Sequence, residues 1–224
     1  MTYYIGLIGA FGRMGKAITS CVMKDSSLSL AWELNSKSSR DSLEKADVII
    51  DFSSINALQD NLDLAIKMQI PIVIGTTGIK DVDKNCLQKA ALEIPVFWAP
   101  NFSLGMAILV HAVKNLSPLL ENKFTPFISE THHVQKKDSP SGSALSIAEA
   151  TLTGYKKKPP IESIRKGEVI GEHSISFVAE EEKFTLHHEC ISRDVFALGA
   201  LEAAKFLIDK SPNLYQMKDL IQSS

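Results

Sequence analysis

The stretch ETHHVQKKDSPSGSAL, residues 130–145, concentrates reactive side chains in a short space. His132 and His133 are adjacent, Lys136 and Lys137 follow, and Ser141, Gly142 and Ser143 open a segment with helical patterning. An imidazole titrates nearest neutral pH, so it can give or take a proton under ordinary conditions. Lys136 offers a fixed positive charge. A helix that begins with small residues presents N–H and hydroxyl donors, which suit a carboxylate. Neighbours on an extended chain point to opposite sides, so His132 and His133 are expected to have different tasks. Together these groups point to an anionic small molecule undergoing proton-coupled chemistry. A solvated polar loop is the alternative.

Metal binding is the other chemistry that such residues suggest. His132 and His133, or His187, His188 and Glu189, could supply ligands, and His187 and Glu189 would share one face of a strand. Adjacent histidines are poor co-ligands, and the chain has no His-Glu-x-x-His motif and no cysteine pair. No metal is expected.

A second group of residues lies near the start. Gly9, Gly12 and Gly15 fall three apart, where TYYIGLIG, read as a buried strand, gives way to a helix through GRMGKAITSCVMK. Such glycines allow a tight turn, a close approach of backbone to a pyrophosphate, and close contact between helix and sheet, while the helix start supplies N–H groups and positive potential. Phe11 stands where the usual dinucleotide fingerprint has glycine. Glu33 ends the next strand about twenty residues on, where an acid that binds ribose belongs. Asp51 ends the third strand and suits either a ligand or a cap on the following helix. GTTG (75–78) and APNFS (99–103) end the fourth and fifth strands, and Thr77 and Ser103 are reasonable helix caps. Ligands of open α/β sheets bind at the carboxyl ends of strands, so these segments are expected to line one crevice.

The elements that must hold these residues alternate in a recognisable way. LSLAWEL, ADVIIDFSS, PIVIGTT and PVFWAPNF read as four further strands, with helices through INALQDNLDLAIKMQ and residues 80–93. Apolar strands alternating with helices indicate a parallel sheet covered on both faces. About a dozen polar residues separate the second and third strands, so that crossover is abbreviated. Beyond it, MAILVHAVKNLSPLL is helical, FTPFISETHH strand-like and SALSIAEATLTG helical; HSISFVAEE and EKFTLHHECIS read as antiparallel strands, and FALGALEAAKFLIDK as a closing helix. The expected architecture is α/β: a Rossmann-like parallel sheet in residues 1–103 plus 194–224, and a smaller α+β domain in residues 104–193.

Bulk properties narrow the function further. The 224 residues carry 24 basic and 26 acidic side chains, a net charge of −2, without the basic excess of a nucleic-acid binder. Lys156, Lys157 and Lys158 precede two prolines and read as a solvated loop. The three cysteines are scattered, which fits a reducing compartment. The first residues lack the basic region of a signal peptide, and no apolar run approaches a membrane span. A cytoplasmic protein without nucleic-acid or membrane partners is expected.

GAFGRMG, GTTG, APNFS, ETHHVQKKDSPSGSAL and RKGEVIGEHSISF, in this order over most of the chain, resemble the 4-hydroxy-tetrahydrodipicolinate reductase (dihydrodipicolinate reductase) family. His-His-x-x-Lys followed by Pro-Ser-Gly is the most specific of these motifs. The resemblance implies reduction of 4-hydroxy-tetrahydrodipicolinate to tetrahydrodipicolinate by NADH or NADPH, in diaminopimelate and lysine biosynthesis. It also implies two domains and a homotetramer. By motif, Gly9, Arg13 and Met14 would cradle the coenzyme pyrophosphate. Gly75, Thr76 and Thr77, with Pro100, Asn101 and Phe102, would lie at the nicotinamide. His132 would donate the proton with Lys136 as partner, and His133, Lys136, Gly142 and Ser143 would hold the carboxylates of a dicarboxylate substrate. No arginine follows Glu33 directly; Lys37 and Arg40 are the nearest cations. A 2′-phosphate needs a cation and a free 2′-OH an acid, so both coenzymes are expected to serve within about tenfold, or roughly 1.4 kcal/mol. Two alternatives share the glycine turn but not the histidine motif: another NAD(P)-dependent amino-acid or semialdehyde dehydrogenase, and a non-catalytic dinucleotide sensor.

Overall fold

The computed structural model describes residues 1–76 and 78–223. The chain divides into two compact units, Met1–Phe102 with Asp194–Ser224, and Ser103–Arg193.

The first unit is built on six parallel strands: β1 (Tyr3–Ile8), β2 (Leu28–Leu34), β3 (Val48–Asp51), β4 (Ile72–Ile74), β5 (Pro95–Trp98) and β10 (Asn213–Tyr215), in the order β10-β5-β4-β3-β1-β2. The strands are apolar because both faces are covered. Ile5, Leu7, Ile49, Ile50, Ile72 and Ile74 are all fully buried, and each such side chain contributes about 1.5–3 kcal/mol relative to exposure. The longer helices of this unit are α1 (Arg13–Val22), α2 (Leu58–Met68), α3 (Asp81–Ala90) and α6 (Asp194–Leu207). α1 buries Gly15, Ile18, Cys21 and Val22, while Met14 is only half-buried. A 3-10 turn over Ile55–Ala57 leads into α2, because Ser54 accepts from Asn56 N–H and caps it. α6 returns the chain to this sheet after the second unit, placing Ala197, Ala200, Ala203 and Ala204 in the core.

The second unit is a four-stranded mixed sheet with two helices on one face. α4 (Leu104–Leu120) and α5 (Gly142–Thr151) cover β6 (Thr125–His132), β7 (Ile161–Arg165), β8 (Glu172–Val178) and β9 (Lys183–Glu189), in the order β7-β6-β8-β9. β8 is antiparallel to β9, as the alternating segments suggested, and also to β6, while β7 runs parallel to β6. The covered face changes character along its length. Ile128, Ile175 and Phe177 join Val113, Ala144 and Ile147 in an apolar core, whereas Glu130, His132 and His173 are buried at the other end. β7, β10 and α7 (Met217–Ile221) were not anticipated from the sequence.

Candidate active site

In the first unit the carboxyl ends of the strands converge. Gly9 N–H donates to Leu34 O, Phe52 N–H to Ile8 O, and Gly75 N–H to Asp51 O. Gly9 has φ +83°, and a Cβ on it would lie 2.6 Å from Phe52 O, so only glycine suits the turn. Gly15 has no room for a side chain either, since a Cβ would stand 2.3 Å from Ala10 O. Gly12 differs: a Cβ there would meet only Gly9 O, at 3.3 Å. Internal packing therefore demands the first and third glycines and leaves the second facing space. Gly12 is also the N-cap of α1, without a side chain to cap it, and the first turn holds no acid. Open backbone at a helix start is what a pyrophosphate requires.

Other residues expected at the coenzyme are distributed unevenly. Arg13 is exposed and Met14 half-buried at the start of α1. Glu33 is exposed at the end of β2 and accepts from the Thr19 hydroxyl at 2.9 Å. Lys37 is exposed, but Arg40 donates to Asp60 O at 3.1 Å and to Asn61 Oδ1 at 2.6 Å. Gly75 makes room for the Phe52 ring, which a Cβ would overlap. Thr76 is buried, and its hydroxyl has no hydrogen-bond partner among the described residues, an orphan that a carboxamide would satisfy. Thr77 lies outside the described residues. Pro100 is exposed and Asn101 half-buried, whereas Phe102 is buried against Phe52 and Phe97 and acts as core. Asp51 is neither exposed nor a helix cap; it is fully buried and accepts from Ser53 N–H and Asn61 Nδ2. Burial raises its pKa against those hydrogen bonds. The donor set thus fits a dinucleotide at the glycine turn. A depression of about 480 Å³ bordered by Leu43, Asp47 and Ile70 lies at the amino ends of β3 and β4, the wrong end of a parallel sheet for a ligand.

The second unit separates the two adjacent histidines. His132 is 7% exposed on the covered face, while His133 is half-buried beyond the end of β6. His132 Nδ1 is hydrogen-bonded to Glu130 Oε2. Glu130 Oε1 accepts from Arg165 Nη2 at 3.1 Å and from Ser141 N–H at 3.3 Å. Burial works against the carboxylate, but Arg165 and His132 outweigh it, and the Glu130 pKa lies below the ordinary value. Burial lowers the His132 pKa, and Glu130 only partly opposes this. The rings of His132 and His173 meet edge to face, with centroids 5.0 Å apart. His173 Nε2 lies 3.1 Å from Ser141 Oγ, which caps α5 by accepting from Ala144 N–H. His188 sits opposite His173 in the β8–β9 register and reaches Ser103 Oγ at 3.1 Å. His187 is exposed and bonded to Ser174, and Glu189 is exposed.

The expected anion-binding groups lie nearby in sequence and in space. Lys136 Nζ is paired with Asp138 at 2.8 Å, and this pairing holds the Asp138 pKa down. Gly142 is exposed at the start of α5, and a Cβ on it would meet nothing within 4 Å. Ser143 is half-buried next to it. Glu130, Arg165 and His173 were not assigned roles from the sequence. The Glu130–His132 pair had a signal, since residues two apart on a strand share a face.

A parallel sheet with a glycine turn at its carboxyl edge, joined to a unit holding a buried imidazole beside a cation and a helix start, defines a nicotinamide-dependent oxidoreductase. The family described as "Dihydrodipicolinate reductase, N-terminus" matches residues 3–102, and "Dihydrodipicolinate reductase, C-terminus" matches residues 105–221. The chain belongs to the dihydrodipicolinate reductase family. It is 41% identical to the 4-hydroxy-tetrahydrodipicolinate reductase of Zymomonas mobilis, covering 97% of this chain and 96% of that one. It is 37% identical to the same-named protein of Alkaliphilus oremlandii, covering 96% and 97%. Among solved structures, it is similar to the dipicolinate-bound dihydrodipicolinate reductase of Paenisporosarcina sp. TG-14, with a TM-score of 0.82, 22% identity and coverage of 96% and 98%. It shares the same fold at lower similarity with a C. glutamicum DAP dehydrogenase, with a TM-score of 0.62, 10% identity and coverage of 98% and 94%.

Proposed function

We propose that the protein is a 4-hydroxy-tetrahydrodipicolinate reductase. It reduces 4-hydroxy-tetrahydrodipicolinate to tetrahydrodipicolinate in the diaminopimelate and lysine route. The observation that carries this reading is the grouping of His132, Lys136 and Gly142 in a chain whose relatives bear that name over almost their whole length. The first unit is assigned the coenzyme and the second the substrate.

When bound, the reduced nicotinamide supplies a hydride to the substrate ring. His132 supplies the matching proton, and the 4-hydroxyl group is lost as water, so that hydride and proton in and water out balance the conversion. Lys136, His133 and the Gly142–Ser143 helix start hold the carboxylates, with Asp138 giving up Lys136 as the dicarboxylate arrives. The Lys136 charge stays close to the anion as electron density grows, which favours the transition state over the ground state. At the coenzyme, Gly9, Gly12, Arg13 and Met14 take the pyrophosphate. Glu33 takes the adenosine ribose, and Thr76 with Pro100 and Asn101 borders the nicotinamide. NADH and NADPH both serve, with NADH favoured, because Glu33 suits a free 2′-OH while Arg40 is held by Asp60 and Asn61.

A homotetramer is part of the proposal. The face of the second sheet opposite α4 and α5 exposes Phe127 (38%), Ile164 (38%) and Val178 (41%), a surface suited to another copy of the chain. A cytoplasmic location is supported by free Cys21, Cys86 and Cys190. Among the described residues no helix is long and apolar enough to cross a membrane.

The test mixes the protein with pyruvate, aspartate semialdehyde, an upstream synthase and either coenzyme, and follows the loss of reduced-nicotinamide absorbance. Oxidation is expected with both, faster with NADH by up to about tenfold, or roughly 1.4 kcal/mol. No oxidation with either coenzyme refutes the activity. A preference for NADPH above about a hundredfold refutes the assigned role of Glu33.

A further inference from the structure

The strand alternation of β6 turns Glu130 and His132 to the same covered face, and the neighbouring strands complete their surroundings. Register sets Arg165 of β7 beside His132 and His173 of β8 beside Glu130. One Glu130 oxygen is taken by the donors Arg165 and Ser141 N–H, and the other faces His132 Nδ1. Arg165 is itself held, its Nη2 donating to Asp138 O at 2.6 Å and its Nη1 to Ile164 O at 2.8 Å. Glu130 is 1% exposed, and a buried carboxylate so surrounded by donors is an acceptor only. The hydrogen between Glu130 and His132 therefore belongs to Nδ1, and Nε2 is the nitrogen left to exchange a proton. Gly171 flanks that nitrogen: a Cβ there would stand 3.1 Å from Nε2. Ligand atoms of Glu130, His132 and His173 also lie within 4.8 Å of one another, a spacing that could hold a metal ion. The Arg165 guanidinium already supplies the positive charge at that carboxylate.

We propose that Glu130, anchored by Arg165 and Ser141 N–H, is the positioning residue for His132: it holds the proton on Nδ1 and leaves Nε2 to act on the substrate. The inference rests on the reading of His132 as proton donor. It gives Arg165 a purpose as well, since without that guanidinium a carboxylate so deeply buried would tend to neutralise. The charged or titratable groups around His132 are Glu130 from β6, Arg165 from β7, His173 from β8 and Lys136 from the following loop. Among the described residues that act on His132, Glu130 is the acidic one.

The experiment combines two readouts on the full-length enzyme. Long-range proton–nitrogen spectra of the wild type, recorded above the His132 titration, are expected to show the Nδ1–H tautomer. A neutral His132 with its hydrogen on Nε2 overturns the inference without any variant. Glu130→Gln keeps the shape and removes the charge. Its kcat is expected to fall about 10–100-fold with KM changed less than about threefold, as for an interaction that matters mainly in the transition state. The His132 titration, and with it the descending limb of the kcat/KM pH profile, should move down by about one pH unit or more. Glu130→Asp, which restores the charge, should bring the limb most of the way back. A purely structural role would lower activity without moving the limb. His132→Gln, measured in parallel, separates the two readings. If it retains turnover, His132 is not the donor and the inference falls with that reading. If it loses turnover while Glu130→Gln matches the wild type in limb and titration, the donor reading stands and the positioning role is overturned.

Discussion

The most readily measured consequence of the second unit's buried polar end concerns acid stability. His173 is 4% exposed, and its Nδ1 has no hydrogen-bond partner among the described residues. Burial first, and then the neighbouring His132, pushes its pKa down to about 4. In an unfolded chain a histidine titrates near 6.5. Between these values the unfolded state binds more protons than the folded one, so stability rises with pH across that window. The contribution of His173 is present in full above about pH 6.5 and is lost progressively as the pH falls to about 4. The gap from 6.5 to about 4 corresponds to about 3 kcal/mol, a large part of the 5–15 kcal/mol by which domains are typically stable. His173→Gln can still reach the Ser141 hydroxyl and does not titrate. The variant is expected to lose most of that pH dependence, whatever its own stability at pH 7. Both tryptophans, Trp32 and Trp98, lie in the first unit, so their fluorescence would report on the wrong part of the chain. Hydrogen exchange of β6 and β8 amides between pH 7 and 4 reads the relevant opening free energy. Wild-type and His173→Gln curves that run parallel over this range would refute the reasoning.

Two further expectations concern the assigned sites. Gly12→Val is expected to abolish coenzyme binding with little change in fold, because a Cβ meets only Gly9 O at 3.3 Å while the branched side chain would occupy the pyrophosphate approach. Unchanged affinity by calorimetry would mean that the pyrophosphate does not approach Gly12. His132→Gln should cost turnover about 10²–10⁴-fold, roughly 3–5 kcal/mol of barrier; His133→Gln should mainly raise KM, and Lys136→Ala should hurt both. Equal small losses in the two histidine variants, with coenzyme binding intact, would place the proton donor elsewhere.

Much of the architecture was legible because its signals are local. The apolar runs and glycine turn of the first hundred residues specify strands, helices and their parallel arrangement, and LSLAWEL corresponds to β2 without an end displaced. Different environments for His132 and His133 were expected from the period of a strand, and they differ, although His133 lies just beyond the end of β6. Short or isolated elements escaped: β10 has three residues and α7 five, too few for periodicity to show, and β7 follows a lysine–proline loop and gains its identity only by pairing with β6. Tertiary structure alone decided how the reactive groups are wired. Arg40 looks from its position like a contact for a 2′-phosphate, yet the fold turns it to Asn61, twenty-one residues away. Arg165 lies thirty-five residues from Glu130 and reaches its carboxylate because two strands pair in one register. Sequence determines which side chains are available and which face each takes, since backbone geometry repeats every two or 3.6 residues. Which carboxylate meets which cation depends on strand pairing and burial, and these exist only once distant segments have packed together.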